Sequence, residues 1–168
     1  RECLQEMKRV AVCILGNHDE AIVAGADPDE FGPAALQAVE WTREQLHEND
    51  HAFLRTLPRS CQEESLLFVH GSPRDPTNEY VLPMDAHNPT KVADLFHRFD
   101  HCCLQGHTHI SGVLSDSQFL RPHEIEHSYA LNDDSFGDHL REGCGYRTER
   151  VRLTSWCGYA VHFVKRSI

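Results

Sequence analysis

The sequence predicts an α/β layered domain, and three observations predict it. Short apolar runs of strand length (Val10 to Leu15, Leu66 to Val69, His101 to Leu104) are separated by longer stretches with apolar residues at three-to-four spacing. The composition, 168 residues with 40% apolar and 25% charged side chains, suits one domain with a sizeable core. Each apolar run also ends in a Gly- and His-bearing string: Gly16-Asn17-His18-Asp19-Glu20, His70-Gly71-Ser72 and Gly106-His107-Thr108-His109. Strand ends are where α/β proteins place their chemistry.

Taken in order, Val10 to Leu15 reads as the first strand, projecting Asn17 and His18 from a sheet edge. Pro33 fits a first helical turn, and Leu36, Val39, Arg43 and Leu46 continue an amphipathic helix to about Glu48. Asn49 or Asp50 can cap a second, short helix through Leu57, which Pro58 ends. Leu66 to Val69 is a core-type strand, followed by a Pro- and Asn-rich loop from Ser72 to Pro89. Thr90 to Phe99 is helical, with Val92, Leu95, Phe96 and Phe99 on one face, and it leads into the strand that ends at Gly106. The stretch from Asn132 to Thr154 has little periodicity, and Tyr159 to Val164 is a last strand-like run. No repeat or linker divides the chain, so residues 1–168 are expected to form a single domain, with 132–168 as its least regular part.

A formal net charge of −10 argues against nucleic acid or an anionic membrane as the main partner, since both require clustered Lys and Arg. A bound phosphate would need a local cation, and thirteen His point to divalent metal as its source. The seven Cys form no C-x-x-C pair and are odd in number, so they read as reduced thiols, and Cys13, Cys102 and Cys103, in strand-like runs, read as small core residues. That, with no apolar run of membrane-spanning length, places the chain in the cytoplasm as an expectation.

His70 follows an apolar strand and precedes Gly71, which lets the backbone turn close to an ion. His107 and His109 are two apart, on one side of an extended strand or around a turn, so that two neighbouring ions could each take one ring. Asn17 offers a neutral oxygen ligand. Arg74 is a candidate phosphate-binding fork, though pairing with Asp75 or Glu79 to brace the loop is an equal alternative. The nine other His stand outside such strings and read as solvated or structural.

Together the three strings resemble the calcineurin-like metallophosphoesterase superfamily, whose signature runs Asp-x-His, Gly-Asp-x-x-Asp, Gly-Asn-His-Asp/Glu, a lone His, then Gly-His-x-His. The segment His70-Gly-Ser-Pro-Arg-Asp-Pro76 is similar to a bacterial and archaeal subgroup described as protein phosphatase-like or diadenosine tetraphosphatase-like. The last three signature elements are present and the first two have no counterpart before Gly16. With Arg rather than Met at position 1, the chain is expected to be the carboxyl-terminal portion of a longer protein. The tail also lacks the family's Asn-x-Gly-Ser turn, through divergence or a disturbed reading frame.

The resemblance implies a four-layer α-β-β-α sandwich, incomplete at the amino terminus, and phosphoric ester hydrolysis by a metal-bridging hydroxide. It implies two divalent ions of the Mn, Fe, Zn, Co or Ni type. Asn17, His70 and His107 would ligate one ion and His109 the other, with the bridging carboxylate among the absent elements. His18 would reach the phosphoryl or leaving-group oxygen, with Asp19 on its other ring nitrogen; the plainer alternative is a surface loop pair. This chain alone is then expected to be an inactive part of a phosphoesterase that acts on a phosphate-ester substrate. The rival from another class is a non-catalytic binding scaffold of the same fold.

Overall fold

The computed structural model describes residues 2–10, 12–116, 118–124 and 161–164. The irregular stretch from Asn132 to Thr154 lies outside the described residues.

Among the described residues, five α-helices precede or flank one six-stranded mixed sheet: α1 (Glu2–Met7), α2 (Asn17–Ala24), α3 (Pro33–Gln45), α4 (Glu48–Thr56) and α5 (Pro89–Phe96). The strands are β1 (Ser60–Glu63), β2 (Leu66–Val69), β3 (Cys102–Gln105), β4 (Gly112–Leu114), β5 (Phe119–Leu120) and β6 (Val161–Val164), in the order β1-β2-β3-β6-β4-β5. Strands β2 and β3 run parallel, with α5 in the crossover between them, and β1, β6 and β5 each run antiparallel to a neighbour. This is an α/β fold. A second sheet, which a four-layer sandwich requires, is not among the described residues.

Two apolar clusters hold these elements. Helix α5 lays Val92, Leu95 and Phe96, with Phe99 just beyond it, against Val69, Cys103 and Leu114 of the sheet. Leu4, Ala21, Ile22, Phe31, Val39 and Leu54 form a separate core among α1 to α4. Lys8 helps to fix α1 there, its ammonium 3.7 Å from the buried Asp50 carboxylate. Burial pushes the Cys102 thiol up to about 12 and Cys103 higher still, which suits small core residues and not nucleophiles.

Three sequence expectations are corrected. Val10 to Leu15 is not a strand: Val10 is a bend, residues 12–15 have no regular structure, and Ala11 is outside the described set. The reason is pairing. A strand exists only as part of a ladder, and among the described residues the backbone of 12–15 makes one such bond, from the Leu15 amide to the Pro58 carbonyl at 2.8 Å. The following string projects not from a sheet edge but from the first turn of α2, capped by Gly16, whose amide donates to the Asp19 carboxylate at 3.1 Å. The loop from Ser72 to Pro89 contains a 3₁₀ turn, Pro83–His87, and Asn88 caps α5 by accepting from the Lys91 amide at 3.0 Å.

Candidate functional site

The parallel pairing of β2 with β3 builds the site. Val69 stands opposite Gln105, and the Gly106 amide continues the ladder by donating to the His70 carbonyl at 3.0 Å. Both strands therefore end at the same level, which brings the residues just past them, His70 and His107, side by side. Their ring centroids are 4.9 Å apart, and His70 Nε2 lies 3.2 Å from His107 Nδ1. Asn17, at the start of α2, reaches the same point, its Oδ1 2.9 Å from His70 Nε2.

These contacts fix protons. His107 Nε2 is 2.9 Å from the Asn78 carbonyl, which only accepts, so Nε2 carries the hydrogen and neutral His107 keeps its lone pair on Nδ1. His70 Nε2–H is then the donor shared between Asn17 Oδ1 and His107 Nδ1. Burial, reinforced by His107, His18 and His109, lowers the His70 pKa to about 4. Burial also lowers that of His107, against the opposing pull of the Asn78 carbonyl. Both rings are neutral near pH 7, the state a metal ligand needs.

The string Gly106-His107-Thr108-His109 turns and does not extend: His107 and His109 both have φ of 56°, and the Thr108 amide donates to the Gly106 carbonyl at 2.6 Å. A non-glycine residue held at positive φ stores about 1–3 kcal/mol of strain, which the surroundings must overdetermine. Here they do. Thr108 Oγ donates to the Val81 carbonyl at 3.1 Å, and the Tyr80 ring stacks on His107 with centroids 3.9 Å apart and planes 28° from parallel.

Gly71 has a different task from the one its place in the string suggests. A Cβ there would meet the Asp75 carbonyl oxygen at 2.6 Å and the Asn78 nitrogen at 3.0 Å, so its absence lets the loop fold back over the end of β2. The His70 and Gly71 amides both donate to the Pro76 carbonyl, at 3.0 and 2.7 Å.

The other nominated residues stand apart from this convergence. His109 is exposed, near enough to His70 and His107 for its charge to act on them. His18 is exposed and meets the Phe31 ring edge-on, with centroids 5.1 Å apart. Asp19 was expected on the His18 ring; its carboxylate instead caps α2 at Gly16, because the first helical turn presents an unpaired amide at that point. Burial raises the Asp19 pKa, partly offset by the Gly16 amide and by His18. Arg74 braces the loop: its fork pairs with Glu79, with Nε at 3.0 Å, and another nitrogen lies 3.2 Å from Asp94.

Asn78 and Tyr80 were not singled out from sequence. A backbone carbonyl has no sequence signature, and an aromatic residue in a polar loop has too many other uses.

Among the described residues no group of three or more His, Cys, Asp and Glu side chains gathers as a metal site. The convergent set is two imidazoles and one amide. Its separations of 2.9 and 3.2 Å nevertheless match neighbouring ligands on one ion, since bonds of about 2.1 Å at right angles place donors about 3 Å apart. Nitrogen and amide oxygen suit borderline divalent ions.

Beside the triad lies a cavity of about 570 Å³ between α2 and the loop after β2, with Asn17, Phe31, Arg59, Arg74 and Asn78 in its wall. Arg59 pairs with Glu20 across it.

The class of protein that this fold is similar to is the metallophosphoesterases. The metallophosphoesterase from Sphaerobacter thermophilus is 35% identical with a TM-score of 0.52, over 66% of this chain and 44% of that one. A hypothetical protein from Pyrococcus horikoshii OT3, 18% identical, shares the fold with a TM-score of 0.51 over 66% of this chain and 50% of its own. An uncharacterized protein of Methanocaldococcus jannaschii is 27% identical over 148 residues, which is 81% of this chain and 58% of that protein. No family model matches. The chain thus spans about half the length of these relatives. The likeness supports the metallophosphoesterase superfamily and a hydrolase-type fold suited to divalent metal. No helix among the described residues is long and apolar enough to cross a membrane.

Proposed function

We propose that this chain supplies part of the active site of a metal-dependent phosphoesterase, built on the four-layer sandwich that the metallophosphoesterase likeness suggests. The observation that carries the reading is the meeting of Asn17 Oδ1, His70 Nε2 and His107 Nδ1, from three strings far apart in sequence, within 2.9–3.2 Å contacts. Asn17, His70 and His107 would hold one divalent ion, and His109 would contribute to a second.

A bound divalent ion supplies Lewis acidity toward a phosphoryl oxygen and a lowered pKa for water. The rest falls to side chains. His107 keeps Nδ1 free by committing its Nε2 proton to Asn78. His70 must move its proton from Nε2 to Nδ1 before Nε2 can ligate, and its depressed pKa makes the neutral ring available for that change of tautomer. His18, one residue after Asn17, would donate a proton to the departing alkoxide. The reading carries with it a phosphate-ester substrate, a divalent ion of the Mn, Fe, Zn, Co or Ni type, and a cytoplasmic location.

Calorimetry with Mn²⁺ and Zn²⁺ tests it. The purified 168-residue chain should bind one of these ions and should show negligible turnover of an activated aryl phosphate. Robust metal-dependent turnover by this chain would overturn the assignment of its ligands as an incomplete set. A non-catalytic scaffold is the second reading. What favours it is that Arg74 is engaged by carboxylates and that no larger ligand cluster is found among the described residues. No binding of either ion at millimolar concentration would decide for it.

A further inference from the structure

We propose that Glu79 is a positioning residue for His107: it pins the strap Asn78 to Val81, which sets the tautomer and ring plane of that imidazole. The strap makes three contacts with the turn after β3. The Asn78 carbonyl takes the His107 Nε2 proton, the Tyr80 ring stacks on His107, and the Val81 carbonyl takes the Thr108 hydroxyl proton. None of these grips involves the Glu79 side chain, yet Glu79 lies between the first two.

Its carboxylate points the other way, into a set of donors. Ser72 Oγ donates to it; Arg74 donates through Nε at 3.0 Å and through a terminal nitrogen; Lys91 Nζ is 3.7 Å away. These partners are themselves anchored. Ser72 is fully buried and its hydroxyl accepts the Arg74 and Asp75 amides at 3.0 and 3.1 Å. Lys91, on α5, pairs with Asp85 at 2.7 Å and donates to the Tyr80 carbonyl at 3.1 Å. Arg74 reaches Asp94 on the same helix at 3.2 Å. Glu79 therefore ties the strap to both the loop after β2 and helix α5, two elements that the core already fixes.

The consequence follows from geometry. With the strap in place, the acceptor at Nε2 is the Asn78 carbonyl, so the proton stays on Nε2 and the Nδ1 lone pair faces His70 Nε2. With the strap released, Nε2 loses its acceptor and the ring is free to carry the proton on Nδ1 or to rotate. Partners that orient a ligating imidazole typically contribute 10- to 100-fold in metal affinity. That number rests on the metal reading of the triad; the tautomer does not.

The test is Glu79→Gln in the 168-residue chain, with Glu79→Asp as the conservative comparison. Nitrogen-15 NMR of the imidazoles, in chelator, reads the tautomer, and Zn²⁺ calorimetry reads affinity. Expected are an Nε2–H tautomer for His107 in the parent chain, a mixed or Nδ1–H population in Glu79→Gln, partial return in Glu79→Asp, and Zn²⁺ binding about 10- to 100-fold weaker in Glu79→Gln. An unchanged tautomer in folded Glu79→Gln overturns the proposal, whether or not metal affinity changes. If the parent binds no metal but the tautomer shifts, the phosphoesterase reading falls and the positioning role stands. Should circular dichroism show Glu79→Gln to be unfolded, Lys91→Gln, which removes the direct tie from α5 to Glu79 and to the Tyr80 carbonyl while leaving Ser72 and Arg74 on Glu79, is read by the same spectrum. There a shifted His107 tautomer supports the strap, and an unshifted one overturns it.

Discussion

His70 and His107 meet within hydrogen-bond distance, whereas His18 and His109, drawn from the same short strings, lie exposed. The difference lies in what each backbone position is tied to. His70 and His107 follow directly on two hydrogen-bonded parallel strands, so the ladder itself sets their separation. His109 comes after a left-handed turn and His18 on the outward side of a short helix, where no ladder reaches. On the proposed two-metal reading, one half of the site is thus assembled by secondary structure, and the other half is not held by a ladder.

The sharpest way to break that comparison is to remove one ligand from each half. His107→Ala should abolish measurable Zn²⁺ binding, a loss of more than about 100-fold because a ligand goes and not just its orienting partner. His109→Ala should leave the first ion within a few-fold. Equal losses by calorimetry would show that the two halves are one unit.

Acid should separate them next. The His70 pKa, about 4 in the folded chain against an ordinary 6.5, means that the unfolded state binds more protons between those values. Stability is therefore fully present above about pH 6.5 and falls as the pH drops toward 4, by a total on the order of 3 kcal/mol with His107 acting in the same direction. Urea unfolding in chelator at about pH 7 and about pH 4.5, on either side of most of that interval, measures this, and His70→Asn should flatten the dependence. The same slope in that variant would assign the effect to other groups.

Gly71→Ala comes third. The added methyl would press on backbone atoms of Asp75 and Asn78 that have nowhere to move, so a cost of about 1–3 kcal/mol is expected. Because Asn78 holds His107, the shift should also appear in the His107 imidazole resonances. Destabilisation without that spectral change would detach the loop from the triad.

Legibility in the sequence followed the same division. Helices α3 and α5 and strands β2 and β3 carry apolar patterning, and their cores form where Val39, Val92 and Cys103 predict. Strand β1, Ser-Cys-Gln-Glu, is a polar edge with no such pattern, and α1 buries Leu4 alone, with Met7 half-buried against the same core. The Val10 to Leu15 run failed because apolarity gives a segment a reason to be buried but not a partner to pair with. Of the nominated metal-site residues, Asn17, His70 and His107 converge, since each sits at a position that a ladder or a cap fixes. Arg74 was open between two readings from sequence, and only the positions of Glu79 and Asp94 show where its fork goes.

The smallest effect should come from His18→Ala. Its ring touches Phe31 edge-on at 5.1 Å, and such pairs contribute about 0.5–1.5 kcal/mol when well buried. His18 is exposed, so the low end, about 0.5 kcal/mol, is expected here. Asn17 is held by its place at the start of α2 and by His70, and neither depends on His18. The affinity for the first ion should therefore stay within about two-fold, well below the tenfold that about 1.4 kcal/mol represents. In a protein that completes the site, the same variant should keep its metal and lose turnover by about 10²- to 10⁴-fold, the range for a missing proton donor. Elemental analysis beside a turnover assay reads both. Loss of metal to the extent seen in His107→Ala would mean that His18 belongs with the ligands, and the contrast between a pre-assembled half and an open half would have to be redrawn around Asn17 and His18 together.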